Sequence, residues 1–150
     1  MNFNIIRASN ENIDQVGKLF DLYRQFYKYE SNIEESTKYI SERIKKNESI
    51  IFLALTEKDK PVGFVQLYET FGSLYLGKII ILYDLYVKKD YRKYGIGYKL
   101  MKKSEEFAKS IGAKGIELST AKNNLTAQSL YEKIGYIRGN EFYSYSYELK

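Results

Sequence analysis

One stretch constrains the fold more than any other: Lys78 to Met101, KIIILYDLYVKKDYRKYGIGYKLM. Its first part, Ile79 to Val87, is a run of β-branched and aromatic residues, suited to a mostly buried strand. A charged turn follows, Lys88 to Lys93. Then come Tyr94-Gly95-Ile96-Gly97 and apolar residues at helical spacing: Ile96, Leu100, Phe107, Ala108 and Ile111. The order is strand, glycine turn, helix. Glycines at such a junction let the backbone turn sharply and let a ligand come close. Free N–H groups in the first helical turn then point at that ligand, and the helix dipole favours an anion there. Arg92 and Lys93 stand just upstream, placed to neutralise phosphate charge. The stretch reads as a pyrophosphate site. The competing reading is an ordinary strand-to-helix turn with exposed basic residues.

The glycines exclude two common phosphate loops. A mononucleotide loop needs Lys-Ser or Lys-Thr after its last glycine, and none follows. A dinucleotide fingerprint needs a third glycine where Leu100 stands. Composition excludes more. The chain has no Cys and no His. It therefore has no thiolate nucleophile, no Ser-His-Asp triad, and no thiolate or imidazole ligand for a metal. Catalysis must use Tyr, Asp, Glu, Lys, Ser, Thr, backbone dipoles or water. The formal charge of +5 raises the possibility of nucleic-acid binding. The basic residues are interleaved with acids along the whole chain, so a generic basic surface is the better reading, and no nucleic-acid partner is expected. The apolar runs are too short to span a bilayer, and no signal peptide opens the chain. The expectation is a cytoplasmic protein with no membrane partner.

At 150 residues, the chain is expected to be one domain, 1–150, around a single core. Phe3 to Ala8 reads as a first strand. Ile13, Val16, Phe20, Tyr23 and Tyr27 mark one face of a first helix, capped by Ser9 or Asn10. Ser31-Asn32-Ile33-Glu34 reads as a capping box before a second helix. Ile50 to Thr56 and Val62 to Thr70 read as a hairpin. After the central strand and its helix, Lys114 to Thr120 reads as a fifth strand. Asn123 or Asn124 caps a last helix that Gly135 ends. Tyr136 to Arg138 reads as a short strand. From Glu141 onward Tyr143, Tyr145, Tyr147 and Leu149 alternate with polar residues, as in a final strand. The expected order is βααβββαβαββ, an α/β fold with a mixed sheet of about seven strands and four helices.

Two motifs then stand together. Arg92-x-x-Gly95-x-Gly97 follows the strand ending Leu85-Tyr86-Val87. Asn124-Leu125-Thr126-Ala127, with Tyr131, Gly135 and Tyr136 after it, opens and closes the last helix. Both resemble the acetyl-CoA segments of the GNAT superfamily of N-acyltransferases, in that family's order and with one helix and one strand between them. The run Phe142-Tyr143-Ser144-Tyr145 is similar to a subgroup often labelled histone- or polyamine-acetyltransferase-like. The resemblance implies a single-domain GNAT fold and an acetyl-CoA-dependent N-acetyltransferase. The acceptor would be a primary amine, on a small molecule or a protein, acetylated directly in a ternary complex. The alternative from another class is a GNAT-fold module that binds acyl-CoA without turnover. Family habit also implies a homodimer.

The resemblance further implies where acetyl-CoA would lie. Its pantetheine arm would pair with Leu85, Tyr86 and Val87, where the central strand splays from its parallel neighbour. Its pyrophosphate would be held by N–H groups of Arg92, Lys93, Tyr94, Gly95, Ile96, Gly97 and Tyr98. Asn124 would touch it near the last helix, although an N-cap alone explains that residue. Tyr131 matches the family's tyrosine and is the candidate acid for the leaving thiolate. Tyr23, Tyr27 and Tyr68 would border the amine, together with Glu69 late in the preceding strand. Asp84 comes from the residues themselves. It interrupts an apolar strand, and a buried carboxylate without a partner is costly. It is the candidate base or ammonium ligand, and a structural pairing is the competing reading. No metal is expected.

Overall fold

The computed structural model describes residues 1–150. The chain divides into two compact units, Met1–Ser119 and Thr120–Lys150. The first holds a sheet and three helices, in the order β1 (Phe3–Arg7), α1 (Ile13–Phe26), α2 (Ile33–Lys45), β2 (Ile50–Thr56), β3 (Pro61–Gly72), β4 (Gly77–Val87), α3 (Ile96–Ser110) and β5 (Ile116–Glu117). The second holds α4 (Leu125–Ile134). The five strands lie side by side in chain order. The first four pair antiparallel, and β5 joins β4 in parallel.

The sheet forms where apolar residues predominate. β2 is buried along nearly its whole length, and Val62 to Leu67 of β3 are buried too. Such runs fit a strand covered on both faces. Val16, Leu19 and Ile40, from α1 and α2, pack with Ile51, Leu53, Leu55 and Phe64 of the sheet. Ile96, Leu100, Met101, Ser104 and Ala108 are the buried residues of α3. Ser104 is accommodated there because its hydroxyl bonds back to the Leu100 carbonyl at 2.9 Å. Pro61, the only proline, opens β3, where no preceding ladder bond is lost.

Four expectations need correction. The sheet has five strands, not about seven. Residues 136–138 and 141–149 form no strand. Tyr143, Tyr145, Tyr147 and Leu149 are each 87–93% exposed, with no hydrogen-bonded neighbour strand and no buried face. Period-two alternation describes fit to a half-buried pleated surface, so it makes no strand by itself. β5 is two residues long instead of the expected 114–120. Its pairing with β4 ends at Ile81↔Glu117, just before a bulge on β4. Lastly, the N-cap of α2 is Asn32, which accepts from the Glu35 N–H at 3.2 Å, and not Ser31. The Ser31 hydroxyl donates instead to Asp21 of α1 at 2.6 Å.

Candidate active site

β4 carries the polar residue that its sequence makes conspicuous. Gln66 of β3 pairs with Asp84, but the next residue, Leu67, pairs with Leu82, so Tyr83 is an extra residue on β4. This is a β-bulge, which bends its strand and re-aims side chains. Tyr83 is turned out, 67% exposed, whereas Asp84 is only 5% exposed. Beyond Ile81 no strand flanks β4 on the β5 side. The backbone of Leu85 to Val87 is therefore laddered to β3 alone, through Val65, Phe64 and Gly63.

The Asp84 carboxylate accepts from Gln66 Nε2 at 2.6 Å. Burial pushes its carboxyl up from the usual range, and hydrogen bonds from Gln66 and Tyr23 pull it partly back. Phenols surround it. The Tyr23 hydroxyl reaches the Tyr83 carbonyl at 3.4 Å. Tyr23 and Tyr27 stand ring to ring at 5.1 Å, and Tyr68 and Tyr83 at 5.7 Å. The Tyr68 and Tyr39 hydroxyls share a hydrogen bond of 3.0 Å. Burial raises Tyr27 above the ordinary phenol range, and the Asp84 charge adds to it. Burial raises Tyr68 as well, helped by Tyr39 and by Asp84. Those couplings put Tyr23, Tyr27 and Tyr68 around the carboxylate. Glu69 is elsewhere: its side chain is 38% exposed and pairs with Lys78 at 3.4 Å.

The glycine turn is built for close approach. A short 3-10 turn, Lys89–Tyr91, leaves β4, and the chain reaches α3 through left-handed Lys93 (φ 68°) and Gly95 (φ 79°). Gly95 is the N-cap, and a Cβ placed on it meets nothing within 4 Å. The first helical bond runs from Lys99 N–H to the Gly95 carbonyl, so the N–H groups of Ile96 to Tyr98 have no helical partner. That side can hold an anion. Arg92 has a job that sequence reasoning missed. Its Nε donates to the Val87 carbonyl at 2.8 Å, and its guanidinium lies over the rings of Tyr86 and Phe26. It ties the turn back to the end of β4.

In the second unit Asn124 caps α4 by accepting from the Ala127 N–H at 3.2 Å. Gly135, at φ 117°, closes the helix in the left-handed region. Tyr131 is on that helix, its ring 6.2 Å from that of Tyr136.

Residues 16–136 match the Acetyltransferase (GNAT) family. The chain belongs to that family. An uncharacterised N-acetyltransferase of Bacillus subtilis, YhfO, is 35% identical over 142 residues, covering 95% of each chain. The crystal structure of a probable acetyltransferase superposes with a TM-score of 0.91 at 35% identity, over 98% of both chains. A thialysine N-epsilon-acetyltransferase of Caenorhabditis elegans is 24% identical over 136 residues, 91% of this chain and 84% of that protein. The GNAT match runs across both compact units. This GNAT chain is an acyltransferase with four helices and a mixed sheet. No helix is long and apolar enough to cross a membrane.

Two further residues of this GNAT site escaped sequence reasoning. Gln66 is fully buried and bonded to Asp84, and Ser49 is bonded to Gln66 at 2.8 Å. Gln66 left the same trace as Asp84, a polar residue between Val65 and Leu67 in an apolar strand. Only the β3–β4 register shows that the two interruptions face each other.

Proposed function

We propose that this GNAT protein is one N-acetyltransferase domain, 1–150, moving an acetyl group directly from acetyl-CoA to a primary amine in a ternary complex. The observation that carries this is the buried Asp84 carboxylate, ringed by phenols, on a strand whose far edge is open. An alkylammonium, with a pKa of roughly 10, must lose a proton before it attacks. Asp84 takes that proton, directly or through one water. Its upward shift brings it closer to working pH, where a carboxylate is a better base. Before that step the same negative charge and the electron-rich ring faces hold the ammonium. The thialysine acetyltransferase, whose name specifies an ε-amine, supports an amine on a flexible arm.

The residues at the glycine turn fit a CoA pyrophosphate. Gly95 leaves open space, the first turn of α3 offers unpartnered N–H groups, and Lys93 adds charge. Acetyl-CoA supplies the activated acyl group. A backbone N–H of β4 at Leu85 to Val87 is the donor for the developing oxyanion. Tyr131 is assigned the leaving thiolate by its motif position, and Asn124 the cofactor near it. A chain without Cys offers no thiolate for an acyl-enzyme, which supports direct transfer. A homodimer belongs to this reading too, and light scattering that shows only monomer at micromolar concentration removes it.

The test is calorimetric titration with acetyl-CoA, for the native chain and for Gly95→Glu/Gly97→Glu. The native chain should bind, and the folded variant should not. Thiol release with a panel of amines then identifies the acceptor, and Tyr131→Phe should slow it. Native protein that fails to bind acetyl-CoA overturns the proposal.

A further inference from the structure

Three polar side chains are joined inside the sheet, and packing explains none of them. Ser49, just before β2, is 7% exposed, Gln66 on β3 is fully buried, and Asp84 on β4 is 5% exposed. The Ser49 hydroxyl donates to Gln66 Oε1 at 2.8 Å, and Gln66 Nε2 donates to Asp84 Oδ2 at 2.6 Å. The two bonds fix each other. A hydroxyl hydrogen on Oε1 leaves the NH2 end to face the carboxylate. The amide turned over would set two acceptor oxygens against each other. Elsewhere on the buried part of β3 the positions are apolar: Val62, Phe64, Val65 and Leu67. An apolar residue at 66 would avoid burying an amide, so the amide has a use.

We propose that Gln66 is a positioning residue for Asp84, and that Ser49 keeps the Gln66 amide pointed donor-first at the carboxylate. The inference rests on reading Asp84 as the proton acceptor. The relay grips Oδ2 from the sheet side and so fixes the carboxyl plane. It also sets how readily the carboxylate forms. Burial disfavours the charge, and the amide donor restores part of it. The other groups around Asp84 do not imitate this. Tyr23 of α1 and Tyr27 just after it face the carboxylate, and Tyr68 faces it from β3, with Tyr39 and Arg43 of α2 behind Tyr68. The phenols at 27 and 68 are shifted upward, away from neutrality. On β5, Glu117 pairs lower on the strand, opposite Ile81.

The experiment compares full-length native protein with Gln66→Met and Ser49→Ala. The carboxyl carbon of Asp84 is followed by 13C NMR against pH, its signal identified by its loss in Asp84→Asn. In parallel, the rate with acetyl-CoA and the amine that the native enzyme accepts is followed against pH. Losing a donor to a charged group should raise the Gln66→Met midpoint by about one to two pH units. The acid limb of the rate profile should move with it. Ser49→Ala should move both in the same direction by less. If Gln66→Met does not fold, Ser49→Ala carries the test. A midpoint unmoved in every folded variant, with Asp84→Asn inactive, overturns the relay alone. Full activity in Asp84→Asn overturns the role of Asp84 itself.

Discussion

Asp21 and Asp84 are almost equally screened from solvent, at 2% and 5% exposure, yet their carboxyls are shifted in opposite directions. Burial pushes both carboxyls up. At Asp21 hydrogen bonds from Ser31, the Asn32 N–H, Ser36 and Gln25 outweigh it, and the carboxyl ends below its ordinary range. Asp84 has Gln66 and Tyr23 only, and ends above it. The donors at Asp21 lie in α1, in the α1–α2 connection and in α2, so its charge ties two helices together. Asp84 stands among phenols on an open strand edge and is left short of donors. One buried carboxylate is held in its charged form by a full set of partners; the other has few donors, which suits the proposed role of proton acceptor. Asp84 lies deeper among protein atoms than Asp21 and also has fewer donors, and both differences push its carboxyl upward relative to that of Asp21.

The largest effect should separate the two residues outright. Asp84→Asn should lower acetyl transfer by about 10²- to 10⁴-fold, read by thiol release, with no loss of stability in a urea titration. Asp21→Asn should do the reverse. It should cost about 2–3 kcal/mol of unfolding free energy, given the loss of bonds to a buried charge, while acetyl-CoA binding persists in the calorimeter. An Asp84→Asn protein that unfolds more easily than native, or an Asp21→Asn protein as stable as native, breaks the comparison.

pH sharpens it. The folded-state carboxyl of Asp21 lies below its unfolded value of 3.8, so the unfolded chain binds more protons. Its stabilisation is complete above that value and is lost as pH falls through the lower, folded one. Asp84 has the opposite sign. Its folded value lies above 3.8, so it favours folding below that value and loses this contribution as pH rises through the folded one. Urea midpoints measured across pH should therefore show the acid arm flattened in Asp21→Asn, and a gain on the neutral side in Asp84→Asn. The smallest effect is Ser31→Ala, which removes one of several donors. It should cost about 1 kcal/mol by chemical denaturation and weaken the acid arm without abolishing it.

Much of this was legible beforehand because it depends on local pattern. β2 announces itself as an unbroken apolar run, and β3 and β4 as apolar runs interrupted by Gln66 and Asp84. Gly95, Gly112 and Gly135 mark a helix start and two helix ends, each at a positive φ. Asp84 was visible as a charge in the wrong place. What was not legible depends on partners distant in sequence. Ser31 looked like a cap because Glu34 follows it at the right spacing, but Asp21, ten residues upstream, takes its hydroxyl. Gln66 and Ser49 gain meaning only through the β3–β4 register and the Gln66 amide. The bond from Arg92 Nε to the carbonyl of Val87 likewise shows only in the folded turn. The alternating tail from Tyr143 to Leu149 had the right period for a strand and no neighbour to pair with.

The raised carboxyl at Asp84, in a chain without histidine, gives this enzyme an unusually quiet background for following protons. Histidine is the side chain that ordinarily buffers near neutrality, and here none is present. Proton uptake or release accompanying amine binding would thus come from the amine itself and few side chains, and the share lost in Asp84→Asn is the proton of that carboxyl. Calorimetry repeated in buffers of different ionisation heat would count that proton directly, and a weakly buffered indicator dye would time it.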